Sequence, residues 1–108
     1  MKKISESDWK VFKKIKVKAI ELFCNNALSE FEEVIKDKTS GSHEAYTLLY
    51  RLVQNRDKQM SLIFDGQSRS KAPMQLLAMR GEGLVEKELL DQLSEEILEW
   101  SDPARVNW

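Results

Sequence analysis

The sequence predicts an all-α fold in which a long N-terminal helix packs antiparallel to a second helix and two shorter helices fold back on them. Only 4 glycines and 2 prolines occur among 108 residues, and Leu, Glu and Lys, which favour helix, are abundant. Between the glycines and prolines, apolar residues recur at helical spacing, and no segment alternates as a strand does. We expect one helical domain over residues 1–108, with mobile ends at 1–5 and 103–108.

Helix 1 is predicted at about residues 8–37, a stretch without glycine or proline. Ser5 or Ser7 can cap its N-terminus, and Glu6 and Asp8 suit the positive end of the helix dipole. Thirty residues give a rod of about 45 Å.

Helix 1 carries two apolar sectors, rotated by roughly 100° from each other. A helix that buries different faces along its length has different neighbours along its length. Helix 2, at about 33 Å, is too short to cover all of helix 1, so helix 4 or a second subunit must cover the rest. The first sector contains Val11, Phe12, Ile15, Ala19, Leu22 and Phe23, and the second contains Ile20, Cys24, Ala27, Leu28, Phe31, Val34 and Ile35.

The other helices are delimited by turn and capping residues. Helix 2 is predicted at about 43–64, helix 3 at about 71–80 and helix 4 at about 86–101. The expected signals are Ser42 and Asp65-Gly66 for helix 2, Ser70 for helix 3, and Leu84 with Leu89 and Asp102-Pro103 for helix 4.

Charge is nearly balanced overall but uneven along the chain. The formal net charge is −1, which gives no general attraction to nucleic acid or anionic lipid. Seven lysines lie within the first 18 residues, whereas residues 82–102 hold eight acids and one lysine. We expect these two ends to face each other, within one chain or between two.

No residues form a pattern typical of catalysis. His43 is the single histidine and lies beside a helix start, and Cys24, the single cysteine, lies on an apolar sector. Metal-binding histidine pairs, glycine-rich phosphate loops and serine elbows do not occur. The sequence therefore predicts a non-enzymatic protein without metal or cofactor. A cytoplasmic location is expected, because there is one cysteine, no signal peptide and no apolar run long enough for a membrane span.

Two groups of residues are candidate sites. The polar cluster of Arg56, Asp57 and Arg69, near the predicted corner between helices 2 and 3, is either a structural corner held by ion pairs or an anion- or ligand-binding corner. The wide apolar stripes favour core, with a possible use in binding a partner. The candidate interface residues are Trp9, Phe12, Phe23, Leu93 and Trp100.

These patterns favour a small non-catalytic interaction or regulatory protein that self-associates as a dimer or binds a protein partner, with no membrane partner. One alternative is a nucleic-acid-binding module using exposed lysines of helix 1, which the balanced charge disfavours. Another is a ligand-binding bundle with its site at the Arg56, Asp57 and Arg69 corner. The lysines in question are Lys10, Lys13, Lys14 and Lys18.

The chain also resembles a family of short, uncharacterised all-helical proteins of proteobacteria. The likeness spans about residues 7–100 and implies an all-helical fold, with no activity, cofactor or site residue to carry over. Lysine stands here where the family's first helix would carry arginine. The segments that carry the likeness are "SDWKVFKKIKVKAIELFCNNALSE", the "RD" of Arg56-Asp57, "FDGQSRS" and "GLVEKELLDQLSEE".

Overall fold

A computed structural model describes residues 4–106 and confirms the all-α prediction, with no strand among these residues. Helix α1 packs against α2, and three shorter α-helices and a 3-10 helix complete the described chain. Their bounds are α1, Glu6–Lys36; α2, Ser42–Phe64; α3, Ala72–Gly81; α4, Lys87–Leu90; α5, Glu95–Trp100; and the 3-10 helix, Pro103–Val106.

The long first helix is confirmed as one unbroken rod. Its N-cap is Ser5, whose hydroxyl accepts a hydrogen bond from the Asp8 amide at 3.0 Å. It ends at Asp37, whose carboxylate accepts the Thr39 amide at 2.9 Å and the Thr39 hydroxyl at 2.6 Å. These bonds favour the charged carboxylate and lower the pKa of Asp37.

The α1–α2 hairpin runs antiparallel, as predicted. At the end of the hairpin away from the α1–α2 turn, which we call its base, the rings of Phe23 and Phe64 meet edge to face, with centroids 5.9 Å apart. Halfway along, Arg56 of α2 binds Glu30 of α1. Gly41, and not Ser42, occupies the N-cap position of α2.

The predicted helix at 86–101 is wrong in one respect, because α4 and α5 are two short helices separated by a turn. The turn is held by α1. The Asp8 carboxylate accepts hydrogen bonds from both the Ser94 amide, at 2.8 Å, and the Ser94 hydroxyl. Ser94 is in turn the N-cap of α5. Ser94 is therefore an N-cap inside the predicted helix, and it marks the point where α5 begins as a separate helix.

The core lies around the N-terminal half of α1. Phe12, Ile15 and Ala19 are fully buried, whereas Ala27 is the single buried residue in the second half of α1. On α2, only Ile63 and Phe64, at its C-terminal end, are buried. Outside α1 and α2, the core comes from Ile4, Ala72, Leu76, Leu77, Met79, Leu84, Leu89, Leu93 and Ile97.

The molecule is elongated as a result, with principal extents of 53 × 25 × 25 Å. Its radius of gyration is 16.8 Å, compared with about 13 Å for a compact chain of this length. The end of the hairpin at the α1–α2 turn, which we call its free end, accounts for the larger radius of gyration, because the core surrounds only the base.

The segments predicted to be mobile, 1–5 and 103–108, include residues that make contacts, and their mobility stays a prediction. Ile4 is buried in the core, and Ser5 caps α1. Near the other end, the Arg105 guanidinium donates to the Glu99 carbonyl at 3.1 Å. Residues 1–3 and 107–108, which the prediction also included, lie outside the described residues.

Candidate functional site

The structure does not bring Arg56 and Arg69 together. Arg56 makes a two-pronged ion pair with Glu30, at 2.8 and 2.6 Å, and Arg69 pairs with Glu6 at 2.7 Å. The two acids lie 24 residues apart on α1, which corresponds to about 36 Å. Asp57 is exposed and forms no ion pair among the described residues. The predicted ligand corner of these three residues therefore is not assembled.

Both arginines are held by neighbours that already satisfy them. Two hydrogen bonds from Arg56 lower the pKa of the Glu30 carboxyl, and the same bonds raise the pKa of Arg56. Arg69 bonds to Glu6 and lowers the pKa of that carboxyl, and its guanidinium lies 5.4 Å from the centroid of the Trp9 ring. These arginines fasten α2 and the α2–α3 connection onto α1.

The corner after α2 is held by different residues, which sequence reasoning missed. The buried Lys16 ammonium donates to the Gly66 carbonyl at 2.6 Å. The Gln75 amide donates to the Asp65 carbonyl at 2.8 Å and to the Gly66 carbonyl at 3.2 Å. Gly66 has a φ of 79°, which favours glycine. The helical periodicity of α1 could have indicated that Lys16 is buried, because Lys16 lies four residues after Phe12 and three before Ala19, which are both core residues.

The burial of Lys16 should affect how the free energy of unfolding depends on pH. Burial lowers the pKa of this lysine below its ordinary 10.5, an effect that nearby Asp65 partly offsets. The unfolded chain then binds more protons between the two pKa values. In that alkaline window below 10.5, the free energy of unfolding should rise with pH because of this group.

The Lys16→Met variant should lack that contribution to the slope. Urea unfolding of both proteins at several alkaline pH values measures the difference, because the two proteins differ only at residue 16. Parallel pH profiles for the two proteins would contradict the burial effect.

The predicted interface residues belong to the protein's own core. Trp9, Phe12 and Leu93 are buried within the described chain. Phe23 and Trp100 are half-buried and pack against the same core. The stacked rings of Trp9 and Phe12, with centroids 5.6 Å apart, belong to the same core cluster as buried residues of α3 and the C-terminal segments.

In the first half of α1, Lys10, Lys13, Lys14 and Lys18 are exposed, whereas Lys16 is buried. Lys18 pairs with Glu86 at 3.5 Å, which joins the basic and acidic ends of the chain as predicted. The Lys13 ammonium lies 5.8 Å from the Trp9 ring centroid. A nucleic-acid interface on Lys10, Lys13, Lys14 and Lys18 stays a prediction.

Large apolar side chains are exposed on one side of the hairpin, near its free end. Leu28 and Ile35 of α1 are 62% and 59% exposed, and Tyr46 of α2 is 71% exposed. They line two shallow grooves between the helices, one at Leu28 and the other at Ile35 and Tyr46. We call this surface the hairpin face and define it by Cys24, Leu28, Phe31 and Ile35 of α1 and Tyr46, Leu49, Val53 and Met60 of α2.

The hairpin face points away from the rest of the protein. At about 100° per residue, the core positions Phe12, Ile15 and Ala19 lie roughly opposite Leu28 and Phe31 around α1. Helices α3 and α5 therefore pack on the far side, and neither covers the face. The predicted helix 4 segment does contact α1, but on its first half, where Asp8 binds Ser94 and Lys18 pairs with Glu86.

The two sides of the hairpin differ in chemistry. On the other side, the groove between α1 and α2 is lined by the acids Glu30, Glu33 and Asp37, together with Leu48 and Leu52. The apolar residues of the second sector are thus concentrated on one side. A large exposed apolar patch is informative in a small protein, because such patches mark interaction surfaces.

Residues 4–106 contain no cluster of three or more His, Cys, Asp or Glu side chains suited to a metal ion. None of the helices described in this range combines the length and apolarity that crossing a bilayer requires.

Comparison with known proteins gives no relative. No family model, curated protein or solved structure matches the chain significantly, so the resemblance to the proteobacterial helical family stays a prediction. Fold and surface together define a helical-hairpin protein with a compact base and a free end that is apolar on one side.

Proposed function

We propose that this protein is a small, non-catalytic interaction protein of the cytoplasm that self-associates through the hairpin face. The observation that carries this proposal is the exposure of Leu28, Ile35 and Tyr46 on one side of the hairpin end, where none of the described residues covers them. A second hairpin stacked on this face would convert two helices into a four-helix bundle.

The spacing of the exposed residues supports a helical partner. On α1, Cys24, Leu28, Phe31 and Ile35 follow one another at intervals of four, three and four residues. This is the heptad spacing of residues that pack between helices. On α2, Tyr46, Leu49 and Val53 have the same kind of spacing.

The test is sedimentation of the wild-type protein and of the Leu28→Glu variant across the micromolar range. We expect the wild type to shift from monomer to dimer. The variant should stay monomeric, because each dimer would bury two unpaired carboxylates in the interface. Glutamate keeps the helix propensity high, so the circular dichroism spectrum should not change.

The matched control is Leu62→Glu. Leu62 is 85% exposed and lies on the opposite side of α2 from the hairpin face. This variant should dimerise as the wild type does. A wild type that remains monomeric throughout, or an equal loss of dimer in both variants, would overturn the proposal.

A further inference from the structure

We infer that the second copy lies antiparallel on the hairpin face, with α1 over α1 and a two-fold axis that passes level with Ser29 and Glu30. This inference rests on the proposed self-association and adds its geometry. It predicts which residues of the two copies meet.

The apolar residues of α1 are symmetric about this axis. Cys24 and Ile35 are equally far from the midpoint of Ser29 and Glu30, and so are Leu28 and Phe31. In an antiparallel pair, Cys24 of one copy would face Ile35 of the second copy, and Leu28 would face Phe31. This is the pairing of antiparallel heptad seams, and each contact occurs twice, as a two-fold interface requires.

The charges at the ends of the face follow the same symmetry. Glu21 precedes Cys24 by three residues on α1, and Lys38, just past the end of this helix, lines the same groove as Ile35. Neither forms an ion pair among the described residues. The antiparallel arrangement brings Glu21 of each copy to Lys38 of the other. With both hairpin ends on the same side, Lys38 would face Leu49 and Tyr46 instead, so charge complementarity favours the antiparallel arrangement.

The interface would be small. The overlap from residue 21 to the end of α1 at Lys36 is about 24 Å long, and two helices side by side are about 20 Å wide. The outline covers about 500 Å² of each copy, below the roughly 800 Å² that each partner buries in a standard interface. In addition, Asp57 lies near the axis and would face Asp57 of the second copy. We therefore expect a dissociation constant in the micromolar range and not below it.

Cross-linking tests the arrangement. In the Ile35→Cys variant, Cys24 of one copy and the new thiol of the other would face each other. Mild oxidation, or a short bis-maleimide, should then link a large fraction of the chains as dimers. The wild type should not be linked in this way, because its two Cys24 residues would lie 11 residues apart along the seam, about 16 Å.

Two matched variants control for random collision. Lys36→Cys places a thiol on the next residue of the same helix, about 100° away from the seam, and should give little product. Removing Cys24 from the first variant, as Cys24→Ala with Ile35→Cys, should abolish the product. If Ile35→Cys sediments as a dimer under reducing conditions and yet is not linked above the level of Lys36→Cys, the arrangement is overturned and self-association stands. If no protein dimerises, both fail.

Charge exchange gives a second, independent measurement. Glu21→Lys or Lys38→Glu alone should weaken the dimer about three- to tenfold, because each variant places like charges together at both ends of the interface. The double variant, which exchanges the charges, should regain most of the wild-type affinity. Additive losses in the double variant would overturn the predicted pairing of Glu21 with Lys38.

Discussion

Replacing Phe12 with alanine is expected to lower the free energy of unfolding by about 3–5 kcal/mol, a large fraction of the 5–15 kcal/mol typical of small domains. The ring is 0% exposed and stacks on Trp9. Its removal loses apolar burial and leaves a cavity where α1, α3 and the C-terminal segments meet. Urea unfolding followed by circular dichroism measures the loss.

The matched control is Leu28→Ala on the same helix. Leu28 belongs to the hairpin face and is 62% exposed, so its truncation should change the stability of the monomer by less than about 1 kcal/mol. Both proteins must be compared at a concentration where the wild type is monomeric. Equal losses would mean that the free end of the hairpin is as well packed as its base, and the contrast between the two halves of α1 would be wrong.

That contrast could be predicted from the sequence in part. The rotation of the apolar sector along α1 indicates a change of neighbours, and the shorter helix 2 indicates that some of the rod lacks cover. The length of α1 also follows from local chemistry, because residues 6–36 contain no helix breaker and Ser5 supplies a cap. These are properties of residues close together in the chain, and local sequence determines them.

The split between α4 and α5 could not be predicted in the same way. Residues 86–101 carry helical periodicity throughout, and Ser94 is only a moderately poor helix former. Ser94 becomes a cap because Asp8 binds its amide and hydroxyl, and the two residues are 86 positions apart. A contact at such separation depends on how the helices pack, which periodicity does not contain.

The arginine pairs illustrate the same limit. The chain has 18 acidic residues, and the choice of Glu30 for Arg56 and of Glu6 for Arg69 follows from the antiparallel offset of the hairpin. Sequence reasoning placed both arginines at one corner because both lie near the end of helix 2. In the structure, the connection after α2 continues along α1 toward its N-terminus, and it carries Arg69 away from Arg56.

The contact between Asp8 and Ser94 gives the second large effect. The Asp8 carboxylate is only 4% exposed, and it is the group that joins the first turn of α1 to the start of α5. Asp8→Ala would remove both acceptors and leave the Ser94 amide without a partner in a partly buried position. We expect the free energy of unfolding to fall by about 2–4 kcal/mol. Asp8→Asn, which keeps one acceptor oxygen, should lose less.

Hydrogen exchange distinguishes this local role from a general loss of stability. In Asp8→Ala, amides in α5 should exchange faster than the global unfolding free energy requires, because α5 has lost its attachment to α1. Glu6→Ala is the matched control, since Glu6 lies in the same turn of α1 and contributes the same favourable charge at the helix N-terminus. Its pair with Arg69 is exposed, so its loss should cost below about 1 kcal/mol and leave exchange in α5 unchanged. If the two variants behave alike, the effect belongs to the helix dipole, and Asp8 does not hold α5 in place.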